Sequence, residues 1–244
     1  MKTSKLMFLL LILPVHLFCQ TITEYTMDLY DQSRERSIPL VIYSPVQHTK
    51  KCEVVIMNHG YDQNRGGAYK DYSSITRKLA SEGYFVISIQ HELASDDLLP
   101  LEGKPYEVRM PNWQRGVKNI LFTINELKQI RPDLDWENVA LIGHSNGGDM
   151  TMLFATEYPQ YMKRAISLDH RRMPIPLVSS PKLYSLRGCD FEADESVLPS
   201  PEDQMKYSIR IIKFDDIKHG DMDDKGTPSQ LAQINDLILQ FLRD

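Results

Sequence analysis

Short apolar runs alternate with helical patterns along nearly the whole chain, and that alternation is what most restricts its fold. Two β-rich segments come first, Ile22–Tyr30 and Ser37–Tyr43, and their proximity predicts an antiparallel pair. Strand-like runs follow at Val54–Met57, Tyr84–Ile89, Val139–Ile142, Ala165–Leu168, Leu183–Leu186 and Ile209–Phe214. Between them lie helical patterns: Tyr69–Ser81, stopped by Gly83; a longer one in which Trp113, Val117, Ile120, Leu121, Ile124, Leu127 and Ile130 recur at helical spacing before Pro132; and a third from Asn146 to Tyr158. A last helix opens with Thr227-Pro228-Ser229-Gln230, a capping box with proline at the first helical position, and turns Leu231, Ile234, Leu237, Ile238 and Phe241 inward. Near-continuous apolar strands separated by helices predict an α/β fold, an eight-stranded and mostly parallel sheet covered on both faces. Ligands of such sheets bind beyond the C-terminal ends of the strands, so the chemistry belongs in the segments that follow them.

The chain has 244 residues, which suits one large core rather than two. Its formal net charge of −5 and the absence of a basic stripe argue against nucleic acid as a partner. Residues 1–19 have the layout of an export signal: Lys2 and Lys5, then the apolar run Leu6–Leu13, interrupted at Pro14 and His16 before Phe18. The run is shorter than the ~20 apolar residues that cross a bilayer, so no stable membrane span is expected. Cleavage is expected between Cys19 and Gln20, leaving 20–244 as one exported domain, secreted or periplasmic. Acylation of Cys19 is the alternative, but His16-Leu17-Phe18 lacks the small residues that precede a lipidated cysteine. Cys52 precedes one predicted strand and Cys189 follows another, which places them at opposite ends of the sheet and argues against a disulfide.

Gly143-His144-Ser145-Asn146-Gly147 fits G-x-S-x-G between a predicted strand and a predicted helix. A turn tight enough to project a serine hydroxyl from a strand end leaves no room for side chains two residues to either side, hence the paired glycines. No lysine follows to meet a phosphate, which disfavours a phosphate loop. A serine hydroxyl needs a base to act at neutral pH, and the base needs a carboxylate to orient it.

On these residues the chain resembles the α/β-hydrolases, over essentially all of 20–244. His59-Gly60, after the first long apolar strand, is similar to the family's His-Gly signature, and the order of motifs matches. The resemblance implies an α/β-hydrolase fold and a nucleophile–acid–histidine order. Within that order His219, in Lys218-His219-Gly220-Asp221 after the last strand, is the expected base. Asp190, at the turn after Leu183–Leu186, is the expected acid, with Asp194 as the alternative. Asp169 is an outside candidate, read instead as an ion-pair partner of Arg171 or Arg172. The backbone amides of Asn146 and, by resemblance, Tyr61 are the expected oxyanion donors. No cofactor is required. Asp221, Asp223 and Asp224 lack the glycine and terminal glutamate of a calcium loop, so no metal is expected.

Only His170–Pro181 separates two of the strands, too short for the helical lid many family members carry, so the cleft is expected to be open. The implied activity is that of an exported serine esterase acting through an acyl-enzyme on small or polymer-derived esters, similar to dienelactone-hydrolase-like and platelet-activating-factor-acetylhydrolase-like members. A peptidase or acyltransferase with the same three residues is the alternative, and a catalytically silent binding protein on this fold is a more remote one.

Overall fold

A computed structural model describes residues 21–46 and 51–244; the expected export signal and its cleavage point lie outside the described residues. One eight-stranded sheet organises the chain: β1 (Ile22–Asp31), β2 (Arg36–Pro45), β3 (Glu53–Asn58), β4 (Phe85–Ile89), β5 (Asp135–His144), β6 (Arg164–Leu168), β7 (Lys182–Arg187) and β8 (Arg210–Lys213). Their spatial order is β1-β2-β4-β3-β5-β6-β7-β8. The sheet is mixed: β2 pairs antiparallel with both β1 and β4, and the remaining pairs are parallel.

Alternation along each strand divides the core in two. In β5, Val139 and Leu141 face one layer, where they pack with Trp113, Val117, Ile120 and Ile124 of α3 (Met110–Ile130) and Met150, Leu153 and Phe154 of α4 (Asn146–Glu157). Ala140 and Ile142 face the other, packing with Ile75 and Leu79 of α1 (Ser73–Ser81) and Ile234, Ile238 and Phe241 of α6 (Pro228–Arg243). The helical spacing read from the sequence is thus the spacing of the buried faces. Each fully buried leucine or isoleucine contributes about 1.5–3 kcal/mol relative to exposure. At the start of α6 the Thr227 amide donates to Gln230 Oε1 at 2.9 Å and Gln230 N to Thr227 Oγ1 at 3.4 Å, which closes the capping box.

The expected Tyr69–Ser81 helix is a 3₁₀ turn at Ala68–Lys70 followed by α1. Asp224, from far along the chain, accepts the amides of Ser73 (2.7 Å) and Ser74 (2.8 Å), caps α1 there and leaves Tyr72 pointing inward. Two short helices were not anticipated: α2 (Pro105–Val108), within the loop after β4, and α5 (Pro201–Tyr207), between β7 and β8. Ser200 caps α5 by accepting the Asp203 amide at 3.1 Å, with Pro201 at its first position, a signal visible in Ser200-Pro201-Glu202-Asp203. Between β6 and β7 the described chain is irregular, without a helix. Cys52 and Cys189 are both free thiols.

Candidate active site

β5 ends at His144, and the chain turns at once into α4. Ser145 sits in that turn at φ 52° and ψ −120°, a conformation L-residues avoid. Both flanking glycines are required, for different reasons. A Cβ on Gly143 would stand 2.2 Å from the Gly147 carbonyl oxygen, across the turn, whereas one on Gly147 would stand 2.2 Å from the Asn58 carbonyl oxygen of β3. The serine is partly exposed on the floor of a cleft of about 190 Å³ lined by Gly60, Tyr61, Tyr72, His219 and Lys225 among others.

His219 reaches this point from the loop after β8. Its Nε2 lies 3.0 Å from Ser145 Oγ and its Nδ1 lies 2.6 Å from Asp169 Oδ2. Ser145 and His219, both singled out in the sequence, therefore lie within hydrogen-bonding distance of each other. The carboxylate that meets the His219 ring is Asp169, where Asp190 or Asp194 was expected. Asp190 is exposed and accepts the backbone amide of His219 at 2.7 Å instead of its ring, and exposed Asp194 pairs with Arg172. Register explains the choice. His144 of β5 pairs with Leu168 of β6, and Leu168 with Leu186 of β7, so Ser145, Asp169 and Arg187 form the next row across three adjacent strands. A ring that presents Nε2 to Ser145 turns Nδ1 onto Asp169, while Asp190, one strand farther along the sheet, meets only the main chain.

Asp169 pairs with Arg187, not with Arg171 or Arg172: Arg187 Nη2 lies 2.9 Å from Oδ1, which also accepts the Gly188 amide at 3.0 Å. Burial works against its charge, but the bond from His219, the Arg187 guanidinium and the Gly188 amide outweigh it and hold the carboxyl below its ordinary range. Arg187 also donates to the His170 carbonyl. Sequence reasoning missed Arg187 and Gly188. A Cβ on Gly188 would lie 3.0 Å from His219 N and 3.2 Å from Asp169 Oδ2, tight against both residues of the Asp169–His219 hydrogen bond.

Two segments flank Ser145, the start of α4 and the loop after β3. Asn146 is the first residue of α4, so its N–H has no acceptor within the helix and stands at the positive end of the dipole. Its side chain is fixed by a buried network: Trp113 Nε1 donates to Asn146 Oδ1 at 2.7 Å, and Asn146 Nδ2 donates to Asn112 Oδ1 at 2.9 Å and Glu92 Oε1 at 3.1 Å. On the other side Gly60 packs against the elbow, where a Cβ would meet Ser145 Cβ at 3.4 Å. That contact brings Tyr61 to the cleft; its hydroxyl accepts the Leu99 amide at 3.0 Å. His59 shapes the same turn. Its Nε2 accepts the His91 amide (2.9 Å), which leaves the proton on Nδ1 to donate to the Gly60 carbonyl (2.7 Å).

The carboxylates considered for a metal are occupied in other ways: Asp223 pairs with Lys225, Asp224 caps α1, and Asp221 accepts the Lys218 amide. Among the described residues no group of three or more metal-ligating side chains is found, and no helix is long and apolar enough to cross a membrane.

A strained serine between strand and helix, on a sheet of this order, defines the α/β-hydrolase fold. Solved structures agree. Pyrococcus horikoshii acylaminoacyl peptidase superposes with a TM-score of 0.66 at 16% identity over 92% of this chain and 41% of its own, and a bacterial heroin esterase with 0.65 at 12% identity over 91% and 84%. Within that fold the chain belongs to the BD-FAE family, whose model matches residues 40–173. It is also 25% identical to the platelet-activating factor acetylhydrolase of Canis lupus familiaris across 174 residues, 54% of this chain and 38% of the dog protein. The chain thus spans well under half the length of that relative.

Proposed function

We propose that this protein is a serine esterase in which Ser145 is the nucleophile, His219 the general base and Asp169 the carboxylate that orients it. The observation that carries the reading is the continuous line Ser145 Oγ, His219 Nε2 (3.0 Å), His219 Nδ1, Asp169 Oδ2 (2.6 Å). Ionised Asp169 keeps the proton on Nδ1 and leaves Nε2 free to take the serine proton. The alkoxide attacks the ester carbonyl, and the oxygen that becomes negative enters the space between the amides of Asn146 and Tyr61. Fixed donors of this kind are each worth about 3–4 kcal/mol in comparable enzymes. Collapse of the adduct expels the alcohol, which takes the proton from His219. His219 then activates a water that attacks the acyl-serine and regenerates the hydroxyl.

Two features support a small ester. The cleft at Ser145, about 190 Å³, lies below the ~300 Å³ at which pockets for drug-sized ligands begin. The relative named above is an acetylhydrolase, which supports a short acyl group. We also assign residues 1–19 to a cleaved export signal, as their composition indicates; the amino-terminal sequence of the protein recovered outside the cytoplasm tests this.

Labelling with a fluorophosphonate probe and mapping of the adduct test the catalytic reading. Modification of Ser145, together with loss of both labelling and ester hydrolysis in a folded Ser145→Ala variant, is the expected result. Undiminished hydrolysis in that variant would refute it.

A further inference from the structure

The side chain of Asn146 is held at every polar atom it has. Its oxygen accepts Trp113 Nε1 at 2.7 Å, and its nitrogen donates to Asn112 Oδ1 at 2.9 Å and to Glu92 Oε1 at 3.1 Å, which uses both N–H groups. Asn112 Nδ2 donates to the same Glu92 oxygen at 3.4 Å, so Glu92, Asn112 and Asn146 close a ring of hydrogen bonds. All of these side chains are buried. Turning the Asn146 carboxamide therefore breaks three bonds at once, where solvent does not replace them. That matters because of the residue before it. Ser145 stands at φ 52°, and no side chain caps α4 at that position. A strained backbone of this kind persists only where its surroundings over-determine it, and the adjoining carboxamide supplies such a constraint.

Glu92 is the member of the ring that comes from neither α3 nor α4. It lies in the loop after β4, on backbone that is itself tied down from several elements. The His91 amide donates to His59 Nε2 in the turn after β3 at 2.9 Å. The His91 carbonyl accepts Arg36 Nη2 of β2 at 2.6 Å and Asn119 Nδ2 of α3 at 3.4 Å. The Glu92 carbonyl accepts Gln90 Nε2 at 2.8 Å. Side chains that fix a site must be fixed themselves, and Glu92 meets that condition. Its second oxygen, Oε2, has no hydrogen-bond partner among the described residues, so Oε1 alone does the holding. Farther along the same loop the Leu99 amide donates to the Tyr61 hydroxyl at 3.0 Å, so one connection touches both segments that flank Ser145.

We infer that Glu92 is a positioning residue for ester hydrolysis: as a buried acceptor it locks the Asn146 carboxamide and thereby fixes the Asn146 amide that meets the developing oxyanion. The inference rests on the serine-esterase reading, and Glu92 itself touches no reacting atom. The test is steady-state kinetics on 4-nitrophenyl acetate with variants shown to be folded by circular dichroism. Glu92→Ala should lower kcat about tenfold or more while KM stays within about twofold, the mark of an interaction made in the transition state. Glu92→Gln keeps an oxygen for both donors and should retain kcat within about threefold. Because Glu92 acts through the Asn146 side chain, Glu92→Ala should cost less than about twofold when added to Asn146→Ala, a non-additivity that separate structural roles do not produce. Asn112→Ala removes the other acceptor of the same carboxamide and repeats the measurement should Glu92→Ala fail to fold. A raised KM at unchanged kcat overturns the positioning role and leaves the esterase reading standing. So does a Glu92→Gln rate as low as that of Glu92→Ala, or losses that add in the double variant. Wild-type protein without Ser145-dependent hydrolysis of the ester removes both.

Discussion

The hydroxyl of Tyr72 donates to Nδ1 of His144 at 2.8 Å while Nε2 of the same imidazole lies 3.0 Å from the carbonyl of His219. A carbonyl only accepts, so the proton sits on Nε2 and Nδ1 is the acceptor. Burial holds this ring neutral, pushing it down to about 3, so the arrangement persists across the range in which an esterase works. Tyr72 in turn accepts the Gly60 amide at 2.9 Å. One tyrosine and one histidine thereby join the loop before Tyr61, the serine turn and the histidine loop.

Replacing Tyr72 with phenylalanine leaves the Gly60 amide without its acceptor and His144 Nδ1 without its donor. Each stranded buried group costs about 1–3 kcal/mol. We expect kcat to fall about tenfold with little change in KM, because the loss is in alignment. Nitrogen NMR shifts of His144 check the cause directly: the Nδ1 resonance should move toward that of an unbonded imidazole nitrogen, which a general loosening of the fold would not single out.

The two candidate acids separate by substitution. Asp169→Asn removes the charge facing Nδ1 and favours the wrong tautomer, so kcat should drop by about a thousandfold or more. Asp190→Asn keeps an acceptor for the His219 amide and should cost less than about tenfold. Steady-state kinetics on a neutral ester distinguish them, and the reverse ranking would restore Asp190 as the acid.

Stability should report the burial of Asp149. Its carboxyl is raised from 3.8 to about 6 by burial, with the backbone amides it accepts working in the opposite direction. Between those values the folded state binds more protons than the unfolded state, so this group adds stability as pH falls through 6 and its full contribution is present below 3.8. Above pH 6 the buried charge costs up to about 3 kcal/mol. Asp149→Asn retains an oxygen for the Arg172 and Met173 amides and removes the titration. Denaturant unfolding of both proteins from pH 7 to 4 should show the wild type gaining relative to the variant as the solution is acidified. Parallel curves would contradict the assignment.

Gly147→Ala should unfold or severely destabilise the protein, since the new methyl meets the fixed carbonyls of Asn58 and His59 at 2.2 and 2.4 Å. Gly188→Ala meets its neighbours at 3.0–3.2 Å and should spare most of the stability while slowing turnover. Paired thermal melts and rates separate the two effects.

The strand and helix pattern was readable because each element buries a periodic face; Ser145 stood out because its motif is local, and His219 because it follows the last strand, where the resembled family carries its histidine. The carboxylate that meets His219 was not readable, because choosing between Asp169 and Asp190 requires knowing which way the His219 ring faces, and that follows from the register of β5, β6 and β7. One cue was available: Asp169 directly follows its strand, as Ser145 follows β5, whereas Asp190 lies three residues beyond Arg187 at the end of β7. The roles of Tyr72, Glu92 and Asn112 depend on contacts across 72, 54 and 34 positions of chain, which no local pattern encodes.

Asp224 gives its backbone amide to the Asp71 carbonyl and its carboxylate to the first amides of α1, so the stretch just past His219 clasps the helix that holds Tyr72. A polypeptide ending at Gly220 would keep Ser145, Asp169 and His219 and lose the buckle. His219 and the tyrosine behind the elbow are thus borne on a single mechanical unit made from two distant parts of the gene product, and drift in one would be felt at once by the other.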